Sequence, residues 1–175
     1  MSKYVSRRSV LQSGIAASLI SSLPSMAFAE ELAYKPAVPG GPMPPKSAFG
    51  KRTTAEQATA GMDLSGMTAL VTGCNSGLGL ETMRVLALRG AHVIGAARTL
   101  GKAEAACASV EGSTTPLVVE LTDWPGIVDA GNEVADMDTP IDMLILNAGI
   151  MALPELHQAH GVELQFAVNH LGHFL

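Results

Sequence analysis

Thr72-Gly73-Cys74-Asn75-Ser76-Gly77-Leu78-Gly79 joins an apolar, β-capable run at 67–72 to a segment with helical spacing at 78–89. Three glycines in such a turn leave backbone N–H groups free to face an anion and keep Cβ atoms out of its way. The helix that follows adds a partial positive charge at its N-terminus. Because the glycines lie between a predicted strand and a predicted helix, the stretch predicts a dinucleotide-binding turn rather than an ordinary glycine-rich turn.

The rest of the chain repeats the alternation of strand and helix. Further strands are predicted over 92–97, 116–121 and 141–146, and further helices over 100–109, 124–137 and 162–175. This order, βαβαβαβα, predicts an α/β fold. The expected architecture is a doubly wound parallel sheet of the Rossmann type with right-handed crossovers.

Composition supports one packed domain and excludes several kinds of partner. Apolar residues make up 47% of the 175 residues and charged residues only 15%, which favours a packed core over disorder. The formal net charge is −5, and no acidic residue precedes Glu30. An acidic surface is unsuited to binding nucleic acid or anionic lipid.

Residues 1–29 have the features of a signal peptide. Ser6-Arg7-Arg8-Ser9-Val10-Leu11-Gln12 is similar to the twin-arginine export signal, although Val10 and Gln12 replace the usual Phe and Lys. Ala27-Phe28-Ala29 predicts cleavage before Glu30. The apolar stretch is too short for a stable membrane span. We expect export to the periplasm by the twin-arginine route, with a Sec signal containing two chance arginines as the alternative.

The leader is followed by a spacer and then by the domain. Prolines and glycines dominate 30–52, which predicts a linker or an arm over the surface, and the Rossmann domain is expected over 53–175. Thr53-Thr54-Ala55-Glu56 predicts a capping box and a short helix that runs to Ala60. Cys74 and Cys107 are expected to be free buried thiols rather than a disulfide framework.

The end of the second predicted strand indicates which cofactor is preferred. NAD sites place an acid there for the ribose hydroxyls, whereas NADP sites use a nearby arginine for the 2′-phosphate. This chain has Gly95-Ala96-Ala97-Arg98, which contains no acid, and Arg98 lies 19 residues after Gly79. We therefore favour NADP over NAD as the cofactor, with a solvated arginine at a loop as the alternative reading of Arg98.

Three ordered motifs resemble those of one family. Thr72-Gly73-xxx-Gly77-x-Gly79 is similar to the cofactor motif of classical short-chain dehydrogenases/reductases, and Asn147-Ala148-Gly149 is similar to their second signature. The run from Phe166 to Phe174, which reads FAVNHLGHF, resembles a helix of the retinol-dehydrogenase-like branch. The resemblance covers 53–175. It implies an oxidoreductase that transfers hydride between nicotinamide and a small-molecule carbonyl or secondary alcohol.

The resemblance also implies a role for each matching residue. Gly73, Gly77 and Gly79 would shape the pyrophosphate turn, and Glu120 stands where the family usually has an Asp that binds the adenine amine. Asn169 matches a helix asparagine that holds a water in the proton relay, and it is the one catalytic candidate. The implied cofactor-binding set is Thr72, Gly73, Asn75, Ser76, Gly77, Leu78, Gly79, Arg98, Glu120, Leu121, Asn147, Ala148 and Gly149.

The family's other catalytic residues have no match in this sequence. A Ser and a Tyr-xxx-Lys follow the asparagine helix in the family, whereas the six residues after Asn169 include no Ser, Tyr or Lys. Tyr4 and Tyr34 lie in the leader and the spacer. We expect the N-terminal, cofactor-binding part of the fold, inactive by itself and poorly soluble because its fourth strand is an open apolar edge. The alternatives are an NADP-binding half domain without turnover and a nonfunctional truncated product.

The histidines predict no metal site. His170 and His173 stand three residues apart on the predicted helix, but no further ligands accompany them. His157 and His160 are read as loop residues. Family members form oligomers through this helix and the next one, so the resemblance leaves the oligomeric state of the complete enzyme open.

Overall fold

Four parallel strands form the frame of residues 47–175, the part of the chain that this computed structural model describes. The strands are β1 (Thr68–Thr72), β2 (His92–Ala97), β3 (Thr114–Val118) and β4 (Met143–Ile145), in the order β3-β2-β1-β4. Because β1 pairs with β2 on one side and β4 on the other, the strand order reverses between β1 and β4, where open α/β sheets bind ligands. The predicted fold class is confirmed. The predicted signal peptide and residues 30–46 of the spacer lie outside the described residues.

Helices connect the strands and cover the sheet. They are α1 (Ala55–Ala58), α2 (Gly77–Leu88), α3 (Leu100–Ala108) and α4 (Trp124–Asp136). After β4 come a short antiparallel hairpin, β5 (Gln158–Ala159) and β6 (Val162–Glu163), and a helical segment. That segment comprises α5 (Leu164–Phe166), a π-helical turn (Ala167–Leu171) and α6 (Gly172–Phe174). None of the helices within 47–175 has the length and hydropathy that a membrane span requires.

The core lies on both faces of the sheet. Successive strand side chains point to opposite faces, so Val93 packs with Met83 on one side while Ile94 packs with Leu117 on the other. All four of these residues are at most 1% exposed. The free cysteines Cys74 and Cys107 are buried in the first cluster, which confirms the prediction of two free buried thiols.

Two predicted boundaries are wrong in instructive ways. The third strand begins at Thr114 and ends at Val118, so Glu120 lies beyond the strand; proline at position 116 is tolerated because β3 is the edge of the sheet. The capping box is one residue later than predicted. The Thr54 hydroxyl accepts from the Gln57 backbone N–H at 3.1 Å, and the Gln57 side chain accepts from the Thr54 N–H at 3.0 Å.

The last predicted helix also begins later than expected. A hairpin occupies 158–163, and its turn places His160 (φ 53°) and Gly161 (φ 78°) in the left-handed region. The Glu163 carboxylate then accepts from the backbone N–H groups of Gln165 and Phe166, which caps the helix at that point. These hydrogen bonds hold the pKa of Glu163 below its ordinary value.

Candidate functional site

A cleft of about 680 Å³ opens at the carboxyl ends of the parallel strands. Its walls are the turn after β1, the residues that follow β2 and β3, and the loop after β4. Every residue of the predicted cofactor set except Gly77 lines it. The cleft also has lining residues that the sequence analysis did not single out: Ala97, Lys102, Val119, Thr122, Ile150, Leu153, Leu164 and Val168.

The glycine turn is packed against the loop after β4. A Cβ atom built on Gly79 would run into the carbonyl oxygen of Gly73 and would stand 2.5 Å from the Asn147 side-chain nitrogen. That nitrogen donates to the carbonyl of Thr72 at 2.9 Å. Gly79 is therefore required for close approach, and Asn147 uses its amide to hold the turn. This contact was not predicted from the sequence.

The helices that begin at the cleft lack side-chain caps. Ser76 precedes α2 and Thr99 precedes α3, and neither hydroxyl accepts a hydrogen bond from the helix it precedes. By contrast, the Thr54 and Asp123 side chains cap α1 and α4. Uncapped N–H groups and the helix dipole make both starts favourable positions for anionic groups.

Two cationic side chains line the cleft at the end of β2. Arg98 follows the last residue of β2 and precedes α3, and Lys102 lies four residues later, in the first turn of α3; both residues line the cleft. Within residues 47–175 neither side chain forms a hydrogen bond or an ion pair, and both are exposed. The last strand residue, Ala97, carries no carboxylate that would compete with an anion.

The predicted adenine-binding acid is anchored at one oxygen. Glu120 Oε1 accepts from the backbone N–H of Thr122 at 3.2 Å and from its hydroxyl at 3.0 Å. No donor among the described residues contacts the second oxygen. Thr122 is itself held by His160, whose Nε2–H donates to its carbonyl at 2.7 Å and whose ring stacks on Trp124 with 4.0 Å between centroids. The sequence placed His160 in a loop but did not predict these contacts with Thr122 and Trp124.

Asn169 lies beside the cleft rather than in its lining. Its Oδ1 accepts from the Ile150 N–H at 2.8 Å, and its Nδ2 donates to the Ile150 carbonyl at 2.7 Å. One turn earlier, the Gln165 side chain accepts from the Ala152 N–H at 3.1 Å. Both amides thus hold the loop after β4, and Gln165 is a residue that the sequence analysis missed. The role of Asn169 with a relay water stays a prediction.

The two histidines of the C-terminal segment have different surroundings. His170 lies between the rings of Phe166 and Phe174, at centroid distances of 5.2 and 6.4 Å. His173 instead faces the sheet, where its Nε2 is 3.0 Å from the Thr72 hydroxyl. Among the residues that the structure describes, no three His, Cys, Asp or Glu side chains are grouped so that they could hold a metal ion.

The thiol inside the glycine turn is not a reactive group. Cys74 is fully buried, and burial raises its pKa to about 11, with the nearby Cys107 contributing in the same direction. Burial also raises the pKa of Cys107. Because the thiolate is the nucleophile and the metal ligand, both cysteines are suited to packing rather than to chemistry.

Comparison with known proteins yields a family and a set of relatives. The model of the family described as short chain dehydrogenase matches residues 67–175. The chain is 38% identical over 135 residues to the short-chain dehydrogenase TIC 32 B, chloroplastic, of Brassica napus. The aligned region covers 74% of this chain and 42% of that protein. The chain is also 38% identical over 117 residues to retinol dehydrogenase 13 of Homo sapiens, covering 64% of this chain and 35% of the relative.

A solved structure gives the same result for the fold. The crystal structure of a metagenomic short-chain oxidoreductase in complex with NADP superposes with a TM-score of 0.55 at 25% identity, over 63% of this chain and 52% of that one. The chain spans about two fifths of the length of the curated relatives that it matches.

Proposed function

The chain belongs to the short-chain dehydrogenase family, and we propose that it binds NADP in the cleft at the carboxyl ends of its strands. The complete enzyme would be an oxidoreductase that transfers hydride between nicotinamide and a small-molecule carbonyl or secondary alcohol. The bound cofactor would supply or accept the hydride. This chain's own residues would bind and orient the cofactor.

The glycine turn suits the pyrophosphate of a dinucleotide. With no Cβ at Gly79, the turn stays close to Asn147, and the start of α2, which has no side-chain cap, adjoins the cleft and would offer its free N–H groups to the pyrophosphate. The carboxylate oxygen of Glu120 that Thr122 leaves free would accept a hydrogen bond from the adenine amine. Ala148 and Gly149 would line the adenosine ribose side.

One observation carries the choice of NADP over NAD. Arg98 and Lys102 both line the cleft beside the uncapped start of α3, and no carboxylate stands at the end of β2. A 2′-phosphate would meet two positive charges and free backbone donors there, whereas the ribose hydroxyls of NAD would lack their acid. The solved relative with NADP supports this ligand class.

The test compares NADPH with NADH, which lacks the 2′-phosphate. We expect Arg98→Gln to weaken NADPH binding about 10-fold to 100-fold, while NADH affinity changes little. Lys102→Gln should act in the same direction, and Arg52→Gln, which removes an exposed arginine outside the cleft lining, should change neither affinity. Equal losses for both nucleotides in Arg98→Gln would reject the 2′-phosphate role.

We also propose that the 175-residue chain binds the cofactor without turnover. The resemblance implies a tyrosine as proton donor, and the two tyrosines of this sequence, Tyr4 and Tyr34, precede the Rossmann domain. Binding of NADPH with no oxidation in the presence of a panel of aldehydes and ketones is the expected result. Steady oxidation would overturn this proposal, and a chain that neither folds nor binds would favour the nonfunctional-product alternative.

Export is a separate proposal about residues 1–29, for which we propose the twin-arginine route to the periplasm. The support is the Arg7-Arg8 pair in its sequence context and the Ala27-Phe28-Ala29 cleavage pattern. Replacing both arginines by lysine should leave the protein in the cytoplasmic fraction, because that pathway reads the arginine pair. Unchanged export of the double variant would favour the Sec alternative.

A further inference from the structure

The Thr72 hydroxyl at the end of β1 has three hydrogen-bond partners. The backbone N–H groups of Asn147 and Ala148 both lie 3.0 Å from its oxygen. The third partner is His173 Nε2, also at 3.0 Å, which comes from the helical segment 101 residues further along the chain. Thr72 is 5% exposed, so water does not compete for these contacts.

The hydrogen-bonding capacity of a hydroxyl permits one arrangement of these partners. A backbone N–H can only donate, and a hydroxyl oxygen has two lone pairs and one proton. The Asn147 and Ala148 N–H groups occupy both lone pairs. The Thr72 proton must therefore be donated to His173 Nε2, which makes that nitrogen an acceptor.

The other ring nitrogen of His173 leads to the same assignment independently. A neutral imidazole with an unprotonated Nε2 carries its hydrogen on Nδ1. His173 Nδ1 lies 3.3 Å from the backbone carbonyl oxygen of Asn169, which can only accept. Both ends of the ring are satisfied together by the Nδ1–H tautomer and by no other.

We propose that His173, held as the Nδ1–H tautomer, is a positioning residue for the cofactor cleft. Its ring connects Asn169 on the helical segment to Thr72 on β1, and through the Thr72 oxygen to Asn147 and Ala148 after β4. The end of β1, the loop after β4 and the helical segment beside the cleft are thereby fixed relative to one another. The part of this inference that concerns the cofactor rests on the proposed function, whereas the tautomer does not.

His173 acts from behind the cleft. Thr72 lines both the cleft and a second groove of about 330 Å³ on the sheet, whereas His173 lines only that second groove. The imidazole would thus influence the bound cofactor through Thr72 and the loop after β4, without touching it. A role through another residue predicts an effect that disappears when the Thr72 hydroxyl is removed.

The tautomer is tested directly by long-range ¹H–¹⁵N NMR of the ¹⁵N-histidine-labelled chain at pH 8. The His173 signals are identified by their loss in His173→Gln. We expect a protonated Nδ1 and an unprotonated, acceptor-type Nε2. A ring protonated on Nε2, or one that averages between tautomers as free imidazole does, would overturn the proposal whether or not the chain binds a cofactor.

The positioning role is tested by NADPH binding in a double-mutant cycle. His173→Phe retains a ring but offers no acceptor, and we expect it to weaken NADPH binding about 5-fold to 100-fold. In the Thr72→Val background the same substitution should have little further effect, because valine has no hydroxyl proton that could lose its acceptor. His173→Gln, whose side-chain carbonyl can accept from Thr72, should recover most of the affinity.

A matched control distinguishes this role from general packing. His170→Phe makes the same substitution three residues earlier, on the exposed face of the segment, and should leave NADPH affinity unchanged. Additive effects in the cycle, or equal losses in His173→Phe and His173→Gln, would reject the positioning role. If wild type itself does not bind NADPH, the NMR result still decides the hydrogen-bond arrangement, and only the proposed function fails.

Discussion

Cys74 makes the stability of the fold depend on pH in the alkaline range. Burial raises the pKa of its thiol from an ordinary value of 9.0 to about 11. Because the pKa of the thiol is higher in the folded state than in the unfolded state, the thiol's contribution to the free energy of unfolding is fully present below pH 9. That contribution is lost as the pH rises toward 11. A difference of two in pKa corresponds to about 3 kcal/mol of unfolding free energy. That is a large share of the roughly 5–15 kcal/mol that holds a typical domain together.

The assay is urea denaturation followed by circular dichroism at pH 8, 9, 10 and 11, for wild type and Cys74→Ala. The variant should be the less stable protein at pH 8, because it leaves a space beside Met83 and Cys107. We expect the difference in the free energy of unfolding between wild type and variant to shrink by about 2–3 kcal/mol by pH 11, since the variant has no thiol to ionise at this position. Comparing the two proteins cancels the titration of lysines elsewhere.

Cys107→Ala serves as the control for coupling between the thiols. Desolvation is the largest cause of the raised Cys74 pKa and the charge of Cys107 is a smaller one, so this variant should retain most of the pH dependence. Parallel stability curves for wild type and Cys74→Ala between pH 8 and 11 would show that the pKa of the Cys74 thiol is not raised by folding, since the thiol would then ionise equally in the folded and unfolded states.

Further substitutions test the glycine turn, the contacts of His160 and the edge strand β4. Gly79→Ala should abolish measurable NADPH binding and lower the free energy of unfolding by about 1–3 kcal/mol, because the added Cβ would meet the Gly73 carbonyl. As a control, Gly101→Ala, where the added Cβ would enter open space on α3, should raise the free energy of unfolding by about 0.5–1 kcal/mol. Equal effects of the two substitutions would contradict the close packing at Gly79. His160→Ala should speed amide hydrogen exchange in the hairpin and at Thr122. Unchanged exchange would show that the stacking of His160 on Trp124 and its hydrogen bond to Thr122 do not stabilise these segments. Leu144→Lys, on an edge-strand side chain that is 61% exposed, should slow aggregation measured by light scattering more than the same change at the helical residue Val128, which is 56% exposed.

The parts of the fold that follow from neighbouring residues were predictable from the sequence. The bounds of β2 match the prediction, α2 lies one residue earlier than predicted at both ends, and α3 ends one residue early, because β-branched runs and glycine stops are local signals. The cofactor set also came together, since the carboxyl ends of parallel strands meet at one edge of the sheet. Only Gly77 of that set lies outside the cleft lining, at the first position of α2.

What the sequence did not predict depends on distant residues or on side-chain direction. Lys102 reaches the cleft because of the way α3 is oriented, which a single sequence does not encode at any short spacing. The contact between His173 and Thr72 joins positions 101 residues apart. The π-helical turn, in which the Gly172 N–H donates to the carbonyl of Ala167 five residues back, arises in packing and has no composition signal.

Isothermal titration calorimetry of the wild-type chain with NADPH and with NADH tests directly whether the cleft binds the cofactor and prefers the 2′-phosphate. We expect one site per chain and NADPH binding at least about 10-fold tighter than NADH, because Arg98 and Lys102 would add charge-assisted contacts to the 2′-phosphate. A folded chain that binds neither nucleotide would contradict the cofactor cleft. A folded chain that binds both equally would contradict the preference for NADP.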